Sequence, residues 1–388
     1  MIRAAQPEDA EAVLQTLCAA FDLNVDAARP IFYADPCYDL SHKRILTLPK
    51  VDLVSCLTVV PLMLRIGGIP VATAGIGGVA TRPEFQRQGH AAALLEATVP
   101  ALDTELGFAL SLLHPINAPY YQRFGWGTAS SAVHWAATPS ALPTYDAAIP
   151  VRPAQASDWP AIHRLHADLT LADTGACVRD SRRWRLIQLP IPGRETYVCE
   201  MAGGVEGYLI CERGDNLHII EIRGKTPEAR QAMVGFLARQ PNGLIEWLTS
   251  ETLLSQFGLP YSAKPPEPDA MLRIVNLEAA LAAVHAAHYA PVLAEANVTL
   301  TIQATDPLHP RNQSPVRLTP FGIVPSDARD HCQIQTDIRT LAQMYLGYAL
   351  PSEAAASGLL TVDTPETLAL ADRLFPLRQP FVAPLDQV

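Results

Sequence analysis

The chain has 388 residues, of which 49% are hydrophobic and 18% are charged, and its formal net charge is -10. This length is enough for two or three domains, and the composition is that of a packed globular protein rather than a disordered one. The negative charge argues against binding to nucleic acid, which requires a basic face. It is compatible with a cationic substrate, and equally with simple solubility.

No targeting, membrane or metal signal is visible in the sequence. The first residues lack an apolar signal core, so a cytoplasmic protein is expected. No run of about 18 uncharged apolar residues is present, so no membrane span is expected. Seven cysteines are scattered without a CxxC pair, and buried free thiols are expected. His163 and His166 have no third ligand nearby in sequence, so no metal site is predicted.

The first predicted helix belongs to an internal repeat. Residues 3–13 read RAAQPEDAEAV and residues 152–162 read RPAQASDWPAI, so that Arg3 matches Arg152 and Asp9 matches Asp158. Each copy has the pattern of a short extended start followed by an amphipathic helix. The spacing predicts duplication of a whole domain, with the boundary in a proline-rich stretch near 139–151.

Strands and helices alternate after the first helix. Two strands are predicted at 53–64 and 69–81, joined by a turn at Gly67-Gly68. The segment PEFQRQGH then leads into a helix, and a short buried strand follows at 108–115. This α/β order predicts a central sheet with flanking helices.

The region after residue 284 has a different pattern. It contains a predicted strand at 298–305 and two predicted helices at 336–348 and 364–375. Thr364 is a suitable N-cap for the last helix, since Pro365 occupies its first position. The region is predicted to be a small α+β domain.

The start of the helix after the second long strand has the features of an anion site. The loop carries Arg87 and Gly89 before the helix begins. Unpaired backbone amides and the helix dipole favour a phosphate group there. Gly89 allows the ligand to approach the backbone, and Arg87 adds a positive charge. A glycine cap also occurs in unrelated folds, so a purely structural role remains open.

The loop pattern Q-x-x-G-x-A after a strand resembles the acetyl-CoA loop of the GNAT acetyltransferase superfamily. The string YQRFGWG, with LHP upstream, resembles the enhanced-intracellular-survival (Eis) type within it. The resemblance implies an α/β (α+β) fold, with tandem GNAT folds whose central mixed sheets are flanked by helices. A small C-terminal α+β sterol-carrier-like domain completes that plan. A homo-oligomer, namely a hexamer, is also implied.

The resemblance also implies the ranges of the three domains and a function for each. Residues 1–145 are expected to bind acetyl-CoA as a cosubstrate, residues 146–283 to form a degenerate second GNAT domain, and residues 284–388 to form the sterol-carrier-like domain. The second copy of the helix start reads GKTPEARQAMVGFL at 224–237 and lacks a glycine at that point. A structural role is therefore expected for the second GNAT domain.

The resemblance also implies site residues. Tyr121 corresponds to the general acid, with Tyr120 as a neighbour easily confused with it. The α-carboxylate of Val388 corresponds to the base, although the family usually ends in an aromatic residue and a frayed tail is the alternative. The acetyl-CoA site is assigned to Val79, Ala80, Thr81, Arg87, Gln88, Gly89, His90, Ala91, Ala92, Ile116 and Asn117.

Three residues are assigned to the amine pocket, namely Phe21, Asp22 and Trp126. For Phe21 and Trp126 core packing is the alternative, and for Asp22 it is an exposed loop. The function expected is acetyl transfer from acetyl-CoA to a primary amine of a small cationic molecule, aminoglycoside- or polyamine-like, or of lysine. The alternative is a lipid- or sterol-binding protein with vestigial acetyltransferase domains, against which the intact Gly89 loop argues.

Overall fold

A computed structural model of the chain describes residues 1–49, 51–145, 149–201, 203–241, 243–260, 264–326 and 332–388. These residues form two compact units. The first comprises Met1–Ala129, Ala270–Gln379 and Val388, and the second comprises Ser130–Asp269 and Pro380–Gln387. Within the described ranges, none of the helices has both the length and the apolar character needed to cross a membrane.

The N-terminal part of the first unit follows the predicted order of elements. Its elements are β1 (Ile2–Ala4), α1 (Ala10–Phe21), α2 (Val25–Ala34), β2 (Lys43–Leu48), β3 (Val51–Ile66), β4 (Ile69–Thr81), α3 (His90–Thr104), β5 (Leu110–Leu113), α4 (Ala118–Gln122) and β6 (Gly127–Thr128). The hairpin between β3 and β4 turns at Gly67 and Gly68, both of which have positive φ. Glycine tolerates that conformation without a steric penalty, as the turn prediction requires.

The second unit is built around another sheet. Its elements are β7 (Ser131–Ala137), β8 (Val151–Pro153), α5 (Trp159–Leu169), α6 (Ser181–Ile187), β9 (Arg194–Met201), β10 (Gly204–Arg213), β11 (Leu217–Gly224), α7 (Pro227–Ala238), β12 (Ile245–Thr249), α8 (Glu251–Gln256) and β13 (Glu267–Pro268). The strand order is β13-β7-β12-β11-β10-β9-β8. The strand β11 pairs in parallel with β12, and the other pairs are antiparallel.

The C-terminal part of the chain adds the remaining elements to the first unit. They are β14 (Met271–Ile274), α9 (Leu277–Val284), α10 (Ala290–Ala296), β15 (Leu300–Thr305), β16 (Val316–Thr319), β17 (Gly322–Pro325), β18 (Gln333–Asp337), α11 (Ile338–Leu346), α12 (Pro351–Ala356), β19 (Leu360–Val362) and α13 (Pro365–Leu374). A five-stranded sheet runs β17-β16-β15-β18-β19. The Thr364 side chain caps α13 by accepting a bond from the Thr367 amide, as predicted.

The large sheet of the first unit runs β1-β2-β3-β4-β5-β14-β6. Strand β14 therefore completes a sheet that otherwise comes from the first 128 residues, because it pairs with β5 on one side and β6 on the other. Strand β7 lies in the sheet of the second unit instead. The domain boundaries at 145/146 and 283/284 stay a prediction.

The two copies of the internal repeat have the same capping arrangement at the start of their helices. In the first copy, the Asp9 carboxylate accepts hydrogen bonds from Arg3 at 2.6 Å and from the Gln6 amide at 2.7 Å. In the second copy, Asp158 accepts the two equivalent bonds, both at 2.7 Å. Each aspartate thus fixes the extended start of its copy to the first turn of the helix that follows.

Candidate functional site

The strands β4 and β5 separate in the middle of the first unit. They pair in parallel only between Thr73 and Gly75 of β4, whereas β3 continues to pair with β4 as far as Thr81. The edge of residues 76–81 that faces β5 consequently has no strand partner within the described part of the chain. Such an edge offers backbone amides and carbonyls to an extended ligand, which binds as an additional strand.

A β-bulge lies within this open segment. Cys56 stands opposite Ala80 and Thr58 opposite Gly77, so one extra residue is accommodated on β4 at Gly78 and Val79. The φ of Gly78 is +57°, which is typical of the glycine in such a bulge. Bulges of this kind break the regular alternation of a strand and are frequent beside active sites.

The turn before α3 presents unpaired backbone amides. Gly89 is the N-cap with a φ of +85°, and no side chain caps the helix. Among the described residues, no protein acceptor is bonded to the amides of residues 87–92. A Cβ built on Gly89 meets no atom within 4 Å, so the space in front of the turn is open. These features fit a diphosphate group, which binds to free amides at the positive end of a helix.

Side chains of the loop fix its path. Gln86 donates a hydrogen bond to the Thr81 carbonyl at 3.3 Å, and Gln88 donates one to the Glu84 carbonyl at 3.2 Å. Arg87 is exposed and has a φ of +61°. Ala91 and Ala92 are partly buried in the first turn of α3, where their small size keeps the approach to the amides clear.

Tyr121 lies on α4, close to the same hydrophobic cluster that Val79 and Ala92 contact. Its ring meets Tyr120 edge-on at 5.2 Å and Trp126 at 6.3 Å between centroids. In the described ranges the Tyr121 hydroxyl has no protein hydrogen-bond partner. Partial burial raises the pKa of this hydroxyl above its usual value, and the neighbouring Tyr120 adds to the shift. A raised pKa keeps the group protonated and able to donate.

Val388 lies against β4 in the open segment. A Cβ built on Gly77 would stand 3.0 Å from the carboxyl carbon of Val388, and one built on Gly75 would stand 2.9 Å from its side chain. The two glycines therefore make the space that Val388 occupies. Two residues earlier, Asp386 is buried and accepts bonds from Arg179 at 2.8 and 2.9 Å, so this end of the chain is not frayed.

The other predicted residues occupy different environments. Ile116 is 90% exposed, which suits a residue that a ligand covers. The Asn117 side chain caps α4 by accepting a bond from the Tyr120 amide at 3.3 Å. Phe21 and Asp22 are exposed at the end of α1. Trp126 is completely buried, and packing against Tyr121 is the role that its position supports.

Two further groups bear on the chemistry. Burial lowers the pKa of His114 to about 4, so its imidazole is neutral at physiological pH. In the part of the chain that the structure describes, no three histidine, cysteine, aspartate or glutamate side chains are grouped as metal ligands would be. The described cysteines are free thiols, most of them buried.

The second unit has a similar separation of two parallel strands, and buried side chains lie beside it. Strands β11 and β12 pair only from Leu217 to Ile219. The next outward position is Glu221, which is buried and bonded to Arg179 at 2.5 Å and to His166 at 3.0 Å. At the start of α7, the Thr226 hydroxyl accepts a hydrogen bond from the Ala229 amide at 3.1 Å. At these two places the second unit differs from the first, because a buried ion pair lies at Glu221 and a side chain caps the helix start.

The glycines that pack against Val388, Gly75 and Gly77, were not predicted from the sequence. Gly75, Gly77 and Gly78 stand within four residues of a long strand, where glycine is unfavourable unless another backbone or a ligand approaches closely. This run of glycines was the one feature of the sequence that indicated such a close approach.

Comparison with family models divides the chain into three matched segments. Residues 1–129 match an acetyltransferase (GNAT) domain, residues 175–274 match a second acetyltransferase (GNAT) domain, and residues 277–383 match a sterol carrier protein domain. A comparison with curated proteins gives no match.

Solved structures match the chain over almost its whole length. A GCN5-related N-acetyltransferase from Anabaena variabilis is 22% identical, with a TM-score of 0.83 and 100% coverage of both chains. One from Kribbella flavida is 19% identical, with a TM-score of 0.83 and the same coverage. Eis1 from Mycobacterium abscessus is 20% identical, with a TM-score of 0.74 and 98% coverage of each chain. The tandem GNAT fold with a C-terminal sterol-carrier domain, predicted from the sequence, is confirmed.

Proposed function

Because this chain belongs to the GNAT acetyltransferases, with two GNAT domains and a sterol-carrier domain, we propose that its first unit transfers acetyl from acetyl-CoA to a primary amine of a small cationic molecule. Aminoglycosides and polyamines are the expected acceptors, with lysine side chains as a further class. The transfer is direct, with Tyr121 as the general acid and the carboxylate of Val388 as the base.

The observation that carries this proposal is the open edge of β4. The unpaired segment 76–81 ends one short loop before the free amides at Gly89, and the Val388 carboxyl group lies beside Gly77. A pantetheine arm added along β4 places its diphosphate at Gly89 and its thioester near the bulge at Val79. The backbone amide of Val79 is then suited to stabilise charge on the thioester oxygen.

The amine must lose a proton before it attacks the thioester. An aliphatic ammonium has a pKa of about 10.4, so forming the neutral amine at pH 7 costs about 4–5 kcal/mol. A carboxylate at Val388 holds the ammonium and accepts its proton directly or through a water molecule.

The departing CoA thiolate needs a proton in turn. A tyrosine hydroxyl ordinarily has a pKa of about 10, which is close to the basicity of a thiolate. In Tyr121 burial raises that pKa, so the hydroxyl stays protonated and can donate to the thiolate as it forms. Its hydroxyl is held by no described protein acceptor and is therefore available to the sulfur.

The charge of the protein supports the acceptor class. A net charge of -10 attracts cationic amines and increases their rate of encounter. Exposed Asp22 at the end of α1, beside exposed Phe21, supplies a negative group and an apolar surface for such an acceptor. We further propose that the enzyme is cytoplasmic. We also propose that it assembles as a hexamer, as the sequence resemblance implies.

Gly89→Ala is expected to weaken acetyl-CoA binding by about tenfold, equivalent to about 1.4 kcal/mol. Alanine is strained at a φ of +85° and shifts the amides away from the diphosphate. Gly107→Ala is the matched control, because Gly107 has a φ of +72° and also has nothing within 4 Å of its built Cβ. Titration with acetyl-CoA measures both variants. Equal affinities for the two would refute the diphosphate site.

The pH profile provides a second check. Because the pKa of Tyr121 is raised, the acid stays protonated as the pH rises through its usual value of about 10. The pH profile of kcat/KM should therefore show no descending limb between pH 6 and 9. A fall in rate between pH 7 and 9 that Tyr121→Phe abolishes would show that the hydroxyl ionises too early to serve as the acid.

The sterol-carrier match supports a second candidate, the binding of a lipid or sterol by the C-terminal domain. Titration of the full chain with a fatty acid and a sterol, in parallel with acetyl-CoA, separates the two functions. Binding of lipid without any binding of acetyl-CoA would favour the carrier function over acetyl transfer.

A further inference from the structure

A completely buried ion pair lies beneath the turn that carries Tyr121. Arg273, on β14, is 0% exposed, and one of its terminal nitrogens, Nη2, donates to both oxygens of Asp306 at 2.7 and 2.6 Å. Its other terminal nitrogen, Nη1, donates to the Phe124 carbonyl at 2.8 Å. One guanidinium therefore connects a carboxylate of the sterol-carrier domain to the backbone three residues after Tyr121.

The turn itself is shaped to receive this guanidinium. Backbone amides of Phe124 and Trp126 both donate to the Tyr121 carbonyl, at 3.0 and 3.4 Å. Between them, Gly125 has a φ of +91°, and a Cβ built on it would stand only 1.6 Å from Nη1 of Arg273. The guanidinium also lies 5.9 Å from the centre of the Trp126 ring, which in turn contacts the Tyr121 ring.

Asp306 is held in place from its own side. It follows the end of β15 and accepts further bonds from the Leu308 amide at 3.1 Å and from the Asn312 side chain at 2.8 Å. In the same loop, His309 contacts Asp103 near the end of α3 at 2.9 Å. This loop of the sterol-carrier domain thus binds Arg273, which in turn holds the backbone that follows Tyr121. The same loop also contacts α3, whose first turn is the proposed diphosphate site.

We infer that Arg273 and Asp306 are a positioning pair for Tyr121, so that the sterol-carrier domain serves acetyl transfer by holding the general acid in its reactive geometry. The inference rests on the proposed role of Tyr121. The free energy lost when two charges leave water can exceed the free energy gained from their attraction, so a buried ion pair adds little net stability. We therefore assign this pair a role in fixing geometry. Here that geometry is the path of the backbone from Tyr121 to Trp126.

Two variants test the inference. The double variant Arg273→Met with Asp306→Asn removes both charges together. The single variant Arg273→Lys retains the positive charge, but a lysine lacks the forked guanidinium that binds Asp306 and the Phe124 carbonyl at the same time. Each is expected to lower kcat by about 10- to 100-fold, as displacement of a catalytic group by about 1 Å does. The KM for acetyl-CoA should stay within about twofold, since the pair contacts neither Gly89 nor β4.

The same changes are then made in a Tyr121→Phe background. If the pair acts through Tyr121, they cause no further loss there, whereas a general loss of structure would lower kcat again. Arg3→Met with Asp9→Asn is the control, because that pair fixes another helix of the same unit. Thermal unfolding and circular dichroism establish which variants are folded.

The outcomes separate the two proposals. Unchanged kcat in folded Arg273→Lys, or an equal loss with and without Tyr121, overturns the positioning role. Unchanged kcat in Tyr121→Phe itself overturns the proposed acid, whatever the Arg273 variants do.

Discussion

Replacement of Tyr121 by phenylalanine is expected to lower kcat by about 10²- to 10⁴-fold, the usual contribution of a positioned proton donor. The substitution removes only the hydroxyl, and the ring contacts with Tyr120 and Trp126 remain. Acetyl-CoA affinity should be unchanged, since the proposed diphosphate site is at Gly89. Steady-state kinetics of thiol release, together with titration of acetyl-CoA, measure the two effects separately.

Tyr120→Phe provides the matched control. Tyr120 adjoins Tyr121 on α4, its ring contacts the same cluster, and burial likewise raises the pKa of its hydroxyl. Its loss should alter kcat by no more than about threefold, since it makes no proposed proton transfer. Comparable losses in the two variants would assign the effect to packing of the turn, and a larger loss in Tyr120→Phe would transfer the acid role to that residue.

Extension of the chain beyond Val388 is the second change with a large expected effect. Added residues convert the carboxylate into a peptide group that cannot accept a proton at neutral pH, so kcat should fall by about 10²-fold or more. Deletion of Val388 withdraws the carboxylate by about 3.5 Å and should have a similar effect. Val388→Ala is the control, because it retains the carboxylate and should keep most of the activity.

Gly77→Ala tests the same carboxylate from the opposite side. Its added methyl group would stand 3.0 Å from the Val388 carboxyl carbon, so the end of the chain must move by a few tenths of an ångström. A partial loss of kcat, smaller than that of the extension, is expected. Full activity in both the extended protein and Gly77→Ala would rule out the Val388 carboxylate as the base.

Local features of the sequence predicted much of the site. The long hairpin, the glycine turn before α3 and the tyrosine on α4 each depend on residues close together in the chain, and the structure contains all three elements. The repeat matched Asp9 with Asp158, and the structure shows the same capping arrangement at both aspartates. Such features are encoded by periodicity and turn chemistry, which are readable without knowledge of the tertiary fold.

Contacts between distant parts of the chain were not predictable in this way. The strand β14 was not predicted, and local patterning does not specify that it lies between β5 and β6. Arg273 and Asp306 are each ordinary charged residues until the fold buries them together. The approach of Val388 to Gly77 joins positions more than 300 residues apart, and only the glycine run hinted at it.

Acetyl transfer to amines can be tested by amine-dependent release of free thiol from acetyl-CoA, measured with a polyamine, an aminoglycoside and a lysine-containing peptide in parallel. We expect release that requires both acetyl-CoA and a primary amine, is strongest with a small polycationic acceptor, and yields a product one acetyl group heavier by mass spectrometry. If folded protein that binds acetyl-CoA releases no thiol with any of the three acceptor classes, the proposed acetyl transfer to amines is contradicted.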